Sequence, residues 1–394
     1  MPTESDLAPL APAMTAWRRD LHAHPELGFE EVRTAALVAR ELREAGIEVV
    51  EGVARTGVVG TLRGTRAGGG DRAVGLRADM DALAMTERTG APWASTVPGR
   101  MHACGHDGHT AMLLGAARWL AGNRDRFGGT VRLIFQPAEE SRGGAGAMLA
   151  DGLFGRFPVD AVYGIHNLPG LPLGTVAVPK RAVLASSDTW EVTFRGRGTH
   201  GAKPHLGTDA TLAAAQFVTM LHAIVARELD PMAAGVVSVG HMAAGDPEAP
   251  NVIPAEVLLR GTARALTPGV RDQLEARIAA MARGAAATHG VEAAPTYRRR
   301  LPPTVNHPEE AATMLRAAVA TVGAAARDDH PPITAGEDFA LMLEARPGAY
   351  AWLGTGEPAH PEGFHHNPHF DFGDAALATG AAFLCSVVEA ELGR

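Results

Sequence analysis

Residues 101–109 read Met-His-Ala-Cys-Gly-His-Asp-Gly-His, and a largely apolar run from Gly108 to Gly122 follows them directly. The run predicts a helix. Cys104 and His106 are two residues apart, so on a helix they would point about 200° away from each other. They can share a metal ion only from a turn or an extended segment, which Gly105 permits. Because borderline-soft divalent ions prefer thiolate and imidazole ligands, the stretch predicts a metal-binding segment just before a helix.

Short apolar segments alternate with helical patterns on both sides of this stretch. Strands are predicted at 47–50, 72–76, 131–135, 161–165 and 349–353, and helices at 30–45 and from about 308. Asp107 is a candidate N-cap for the helix that follows the metal-binding segment. Strands that alternate with helices predict an α/β domain with a mostly parallel sheet covered on both faces.

The pattern changes near residue 187. Trp190, Val192 and Phe194 alternate with polar neighbours, which is the period of a half-exposed strand. Helices and strands then follow in the order βαββαβ, the ferredoxin-like pattern. We therefore predict an α+β domain at 187–298, inserted into an α/β domain that is built from 1–186 and 299–394.

Composition and charge exclude several classes of partner. The formal net charge is −8 and the arginines form no long basic stripe, so nucleic acid is not expected. Residues 1–14 lack the basic flank of a secretory signal, and the other apolar runs are short or interrupted, so no membrane association is expected. The two cysteines, Cys104 and Cys385, lie far apart, as is usual in a reducing compartment. We predict a cytoplasmic protein.

Further polar fragments follow the predicted strands of the α/β domain. They are Arg77–Asp81, Gln136–Glu140, Gly164–Asn167 and Gly363–His369. Ligands of α/β proteins bind where strands end and helices begin, so we expect these fragments to converge on one cleft.

The adjacent acids Glu139 and Glu140 suit a hydrolytic metal site. Such a site needs one carboxylate on the metal and another that accepts a proton from the attacking water. Either of two adjacent histidines in the last fragment could be a ligand. Asp79 or Asp81 could orient a ligating histidine from outside the coordination sphere.

Taken together, these fragments resemble the M20 metallopeptidase family, in particular the amidohydrolase branch that contains hippurate hydrolases and auxin–amino acid conjugate hydrolases. The resemblance extends in order over nearly the whole chain and is carried by Arg18–His22, Pro25–Phe29, Arg77–Leu83, Met101–His109, Gln136–Glu140, Gly164–His166 and His366–Pro368. It implies a zinc-peptidase-like catalytic domain and an inserted lid domain that mediates formation of a homodimer or higher homo-oligomer.

The resemblance also implies a centre of two divalent ions, with zinc, manganese, cobalt and nickel as candidates. Cys104 would bridge the two ions. His106 and His166 would complete one site, and Glu140 and His366 would complete the other.

Catalytic roles follow from the same resemblance. Glu139 would be the general base, and Asp79 matches a position often given a catalytic role in this branch. Asp81 competes with it as the orienting carboxylate.

Three residues of the inserted domain have implied roles as well. His200 would reach the active site of the partner subunit and stabilise the tetrahedral oxyanion. Asn251 and Arg264 resemble contacts to a substrate carboxylate.

The implied activity is hydrolysis of the amide bond of N-acyl amino acids, with an aroyl or acetyl group as the acyl part. Two other classes stay open from the residues alone. Cys104 could be the nucleophile of a cysteine hydrolase, or the chain could bind metal or amino acids without catalysis. A binding protein has no need of Glu139, which favours the hydrolase.

Overall fold

A computed structural model of the protein describes residues 1–67, 70–140 and 142–393. They form two compact units. The first comprises Met1–Arg181, Asn306–Pro331 and Asp338–Arg394, and the second comprises Ala182–Val305 and Pro332–Glu337.

The strands, in chain order, are β1 (Glu48–Val53), β2 (Gly57–Arg63), β3 (Ala73–Asp79), β4 (Thr130–Gln136), β5 (Ala161–Leu168), β6 (Val176–Ala177), β7 (Ala182–Leu184), β8 (Ser187–Arg195), β9 (Thr199–His200), β10 (Gly235–Ala244), β11 (Val252–Ile253), β12 (Glu256–Ala265), β13 (Glu292–Leu301), β14 (Thr304–Val305), β15 (Ala326–Arg327) and β16 (Gly348–Gly354). The helices are α1 (Glu4–Leu7), α2 (Ala11–Ala23), α3 (Val32–Glu44), α4 (His106–Gly122), α5 (Gly144–Ala150), α6 (Leu153–Arg156), α7 (Ala210–Leu221), α8 (Pro268–His289), α9 (Pro308–Val322), α10 (Phe339–Ala345) and α11 (Leu377–Leu392).

The main sheet of the first unit has the strand order β1-β2-β4-β3-β5-β16-β6-β15. Strands β4, β3, β5 and β16 run parallel to one another, whereas β1 and β2 form an antiparallel edge. The central strands β3 and β16 are buried along their whole length, which requires cover on both faces. The predicted α/β class with a mostly parallel sheet is confirmed.

The larger hydrophobic core lies in this unit, and α11 packs within it against α4 and α9. The segment Asp374–Leu392 is long and apolar enough to cross a membrane by length and composition, but 83% of its 18-residue apolar stretch is buried within the structure. Buried core helices commonly have this composition.

The second unit contains an antiparallel sheet with the strand order β10-β12-β8-β13. Helices α7 and α8 contribute to its core together with Trp190, Val192 and Phe194 of β8. This order is the ferredoxin-like topology that the βαββαβ succession predicted.

The limits of the second unit differ from the predicted 187–298. Strand β7 pairs with β14 in an antiparallel ladder, and Leu184 forms a bridge with Ile333. Because of these pairings, the second unit begins at Ala182, continues to Val305 and also includes residues 332–337. The pairings join segments distant in sequence, so periodicity does not reveal them.

Helix α4 begins at His106, two residues earlier than an N-cap at Asp107 would allow. Its N-cap is Gly105, in the left-handed conformation at φ 96°, and Asp107 lies in the first turn. The predicted N-cap at Asp107 is therefore wrong, because the carboxylate is bound instead by side chains of α2.

Candidate metal centre

Parallel strands deliver the polar fragments to one edge of the main sheet. Asp79 ends β3 and pairs in register with Gln136, which ends β4, three residues before Glu139. His166 lies near the end of β5, next to β3 in the sheet. The carboxyl ends of these strands thus meet the start of α4, as expected for a ligand-binding crevice in an α/β domain.

Cys104 is shared by two groups of metal-ligating side chains. In one group its sulfur, with ligand atoms of His106 and His166, forms a set whose members all lie within 4.8 Å of one another. In the other it forms such a set with Glu140 and His366. A thiolate that belongs to both groups is placed to bridge two ions.

The histidines of the first group present the ring nitrogen needed for coordination. His106 donates from Nδ1 to the backbone oxygen of Asp81 at 2.9 Å, and His166 donates from Nδ1 to the backbone oxygen of Asn167 at 2.8 Å. In a neutral ring each Nε2 then keeps its lone pair for an ion, and Nε2 of His166 lies 3.4 Å from the sulfur of Cys104. A fixed tautomer of this kind is typical of metal-ligating histidine.

Two buried atoms in the centre lack hydrogen-bond partners among the described residues. They are His106 Nε2 and Glu140 Oε1, which lie 3.8 Å apart. The other oxygen of Glu140 lies 3.3 Å from His366 Nε2. Buried polar atoms without partners are costly, and divalent ions between these side chains would satisfy them. The donor set therefore fits a pair of borderline-soft ions.

The charge balance of the protein alone does not favour a thiolate at this position. Burial raises the pKa of the Cys104 thiol well above its ordinary value, and Glu140 raises it further. Burial, with neighbouring histidines, lowers the pKa of His166 well below its ordinary value. His166 is thus neutral and able to coordinate, and Cys104 needs a nearby cation to ionise.

Asp81 and Asp79, the two candidates for the orienting carboxylate, have different contacts in the structure. Asp81 Oδ1 lies 3.2 Å from His106 Nδ1, and the carboxylate accepts the backbone N–H groups of Glu139 at 2.9 Å and Glu140 at 3.0 Å. Asp81 therefore contacts two other segments of the centre, the start of α4 and the segment of the Glu pair. These contacts suit a carboxylate that orients a ligating histidine.

Asp79 has a different set of contacts. It accepts from Arg77 at 2.7 Å and from His109 Nδ1 at 2.6 Å, and it lies 3.6 Å from His106 Nε2. Burial would raise the pKa of Asp79, but Arg77 and His106 outweigh burial and hold it well below its ordinary value. Asp79 is thus a buried anion on the Nε2 side of His106, the side that faces Glu140.

Glu139 is half-buried beside the centre. One oxygen lies 3.3 Å from the backbone N–H of Asp338, and a ligand atom of Glu139 lies within 4.8 Å of those of His106 and Glu140. This is the position of a carboxylate next to a metal centre, with a backbone donor that orients it.

Two segments of the centre have unusual backbone geometry. Ala138, just before the Glu pair, has φ 56°, and His366 has φ 60°. Left-handed conformations cost free energy in residues other than glycine and often occur at functional sites. The N–H of His366 donates to Ala103 at 2.8 Å, which ties this residue to the segment of Cys104.

Sequence reasoning gave no role to a chain of hydrogen bonds behind the centre. His109, whose Nδ1 contacts Asp79, lies with Nε2 2.8 Å from Asn167 Oδ1, and Asn167 Nδ2 lies 3.0 Å from His365 Nε2. Both nitrogens of His109 are thus engaged. Of the two adjacent histidines near the C-terminus, His365 belongs to this series of hydrogen bonds and His366 faces Glu140. His109, Asn167 and His365 each lie close in sequence to a predicted ligand. Closeness in sequence alone does not distinguish a ligand from a residue that holds a ligand in place.

The other predicted residues lie in the second unit. His200 is exposed and pairs in β9 with Val252 of β11, directly after Asn251. The N–H of Ala202 donates to His200 Nδ1 at 3.0 Å, so a neutral ring carries its proton on Nε2. Arg264 is half-buried in β12, and its Nη1 is a buried nitrogen without a partner in the described part of the chain.

Known proteins share both the sequence and the fold. The model of peptidase family M20/M25/M40 matches residues 75–390. Hippurate hydrolase of Campylobacter jejuni is 40% identical, over 93% of this chain and 93% of its own. N-acetyl-L-cysteine deacetylase of Bacillus subtilis is 38% identical, over 96% of this chain and 88% of its own.

A crystal structure of a dinuclear metal-binding peptidase of the M20 family from Bacillus subtilis superposes with a TM-score of 0.84. It is 34% identical in sequence and covers 96% of this chain and 98% of its own. The matches extend over both units of the chain, as the resemblance of the motifs predicted. The chain belongs to peptidase family M20/M25/M40, in its amidohydrolase branch.

Proposed function

We propose that the protein is a metal-dependent amidohydrolase that cleaves the amide bond of N-acyl amino acids. The observation that carries this proposal is the pair of ligand groups that share Cys104, with the carboxylate of Glu139 beside them. Two divalent ions there would supply Lewis acidity, which activates water near neutral pH. Zinc, manganese, cobalt and nickel all suit the ligands.

Glu139 acts in this proposal as the general base. Its carboxylate takes the proton of the attacking water and later passes it to the leaving amine. The N–H of Asp338 orients one of its oxygens. Adjacent Glu140 would ligate an ion, so the two neighbours would divide the two carboxylate roles.

The substrate class is supported by the names of the relatives and by one side chain. Hippurate and N-acetyl-L-cysteine are both N-acyl amino acids, one with an aroyl group and one with an acetyl group. Each has a free carboxylate, which suits Nη1 of Arg264, an atom without a partner among the described residues. We propose that Arg264 and Asn251 bind this carboxylate.

His200 completes the proposed mechanism. A ring whose Nδ1 accepts from Ala202 presents Nε2–H as a donor, which suits stabilisation of an oxyanion. We propose that it acts in the active site of a second subunit, and that the protein works as a homodimer or higher homo-oligomer.

One observation favours a cysteine hydrolase as the rival. Cys104 lies 3.4 Å from His166 Nε2, within reach of a base. A reactive cysteine, however, needs a lowered pKa, and burial raises that of Cys104 while it lowers that of His166. The pair is therefore expected to be neutral and unreactive without an ion.

Metal removal tests the proposed function. We expect chelated protein to lose hydrolysis of hippurate, N-acetyl-L-cysteine, N-acetyl-methionine and an indole-acetyl amino acid, and to regain it on addition of manganese, zinc, cobalt or nickel. Release of free amino acid is the measurement, and protein restored with magnesium is the control, since magnesium prefers oxygen ligands. Full activity after chelation would instead support the cysteine nucleophile. No turnover by protein that binds two ions would support a binding role.

Substitution of Asp81 tests the orienting carboxylate. Asp81→Asn replaces one acceptor oxygen by an N–H₂ group that faces N–H donors, so we expect metal affinity to fall about 10–100-fold. Competition with a chromophoric chelator measures it. A larger loss of affinity in Asp79→Asn would assign the orienting role to Asp79.

A further inference from the structure

Helix α2 carries a buried arginine that the proposed mechanism does not use. Arg18 belongs to the Arg18–His22 motif, and its side chain is 0% exposed. Arg19, the next residue, is instead 42% exposed and stacks on Trp93. A buried guanidinium is stable only when carboxylates and hydrogen bonds compensate for its lost hydration.

Three carboxylates surround the Arg18 guanidinium. Its Nε donates to Asp107 Oδ2 at 2.9 Å, its Nη2 donates to Asp371 and its Nη1 lies 3.3 Å from Asp374 Oδ1. Asp107 is completely buried, whereas Asp371 and Asp374 keep 25% and 19% of their side chains exposed. The planar fork of arginine can bind several carboxylates at fixed angles, which the single ammonium of lysine cannot.

These carboxylates lie on the two segments that carry opposite sides of the metal centre. Asp107 directly follows His106, in the first turn of α4. Asp371 follows His366 by five residues, and it precedes Phe372, whose ring packs where a side chain at Gly108 would lie. One arginine thus joins the ligand segment at the start of α4 to the ligand segment near the C-terminus.

His22, one turn along α2, supports the same contact. Its Nδ1 lies 2.8 Å from Asp107 Oδ2 and its Nε2 lies 3.3 Å from Glu87. Burial alone would lower the pKa of His22, but these carboxylates outweigh burial and raise it to about 9. Two cations therefore bind one oxygen of Asp107 and hold it in a single orientation.

We propose that Arg18 is a positioning residue for the metal centre: through Asp107 and Asp371 it sets the separation of the segments that carry His106 and His366. The inference rests on the metal centre of the proposed function but not on the reaction. Ligand segments that are not held together must be ordered when the ions bind, which lowers affinity. Arg18 would therefore act through metal affinity, since its guanidinium binds carboxylates beside the ligand segments and not the proposed ligands themselves.

Two substitutions test this inference in the full-length protein. Arg18→Lys keeps the charge but replaces three donor nitrogens by one, which cannot occupy the positions of Nε, Nη1 and Nη2 at once. Asp371→Asn removes the charge of one partner at a partly exposed position, so it is the milder change where Arg18→Lys fails to fold. Arg33→Gln is the matched control, because Arg33 forms an exposed ion pair with Asp20 and contacts neither segment.

Stepwise affinities for zinc and cobalt, measured by chelator competition, are the main readout. We expect Asp371→Asn to weaken the binding of one of the two ions about 10–100-fold and Arg18→Lys to weaken the binding of both. We also expect the thiolate-to-cobalt absorption band of the cobalt-loaded Arg18→Lys protein to change. The melting temperature of the metal-free proteins reports stability separately.

Affinities equal to those of Arg33→Gln, even with a lower melting temperature, would overturn the inference and leave Arg18 a purely structural residue. Wild-type protein that binds two ions but cleaves no amide would overturn the proposed function without affecting this test. Wild-type protein that does not bind two ions would overturn both.

Discussion

Glu139→Gln is expected to bind two metal ions and to lose turnover by about a hundredfold to ten-thousandfold, the range for loss of a general base. Glutamine keeps the size of the side chain and an oxygen for the N–H of Asp338, but it cannot accept the proton of water. The backbone N–H of residue 139 still donates to Asp81, so the metal ligands stay in position.

Steady-state kcat with hippurate or N-acetyl-L-cysteine, together with metal content, checks this expectation. Glu30→Gln is the control, because Glu30 is an exposed carboxylate of the same unit that pairs with Arg100. Wild-type turnover in Glu139→Gln would remove Glu139 from the role of base. Loss of metal would instead make Glu139 a ligand.

His200→Ala is expected to lower kcat by about a hundredfold to a thousandfold while metal content stays unchanged, since one oxyanion donor typically contributes that much. His200 is exposed and its backbone remains paired with Val252, so truncation leaves the second unit folded. His205→Ala, which removes another exposed histidine of that unit, is the control. A wild-type rate in His200→Ala would contradict the oxyanion role.

Mixed oligomers test whether His200 acts in a second subunit. A dimer of one Glu139→Gln subunit and one His200→Ala subunit would contain one complete active site if the histidine acts across subunits. Random mixing of the two inactive variants is then expected to restore about a quarter of wild-type activity, because half of the dimers are mixed and each has one working site of two. No restoration would place His200 in its own subunit's active site, or outside the mechanism.

Local patterns predicted most elements of the fold but not all of their partners. The helix at 30–45 is α3 at Val32–Glu44, and the strand at 161–165 is β5 at Ala161–Leu168. Strand β2 was not predicted, although it is buried over nearly all its length between β1 and β4. Its sequence, Gly-Val-Val-Gly-Thr-Leu-Arg, has two glycines and little alternation, so neither propensity nor period identifies a strand.

The residues of the candidate metal centre, too, were predicted from the sequence only in part. The sequence supplied Cys104, His106 and the Glu pair, because these residue types at this spacing are themselves the chemical signal. It left Asp79 and Asp81 undecided, since both follow the predicted strand at 72–76 and are two residues apart, which is one repeat of the β period. Only the tertiary structure, which brings α4 and the Glu139 segment next to Asp81, shows that Asp81 contacts both.

By itself, then, the sequence determined the kinds of ligand, the family and the order of most of the main elements, since these depend on residue type and local spacing. The tertiary structure alone decided which of His365 and His366 faces Glu140 and where the second unit begins and ends. It also revealed that Arg18 joins segments hundreds of residues apart. The physical reason is that a side chain of fixed chemistry can coordinate, orient or merely pack, and which it does depends on neighbours that long-range folding brings to it.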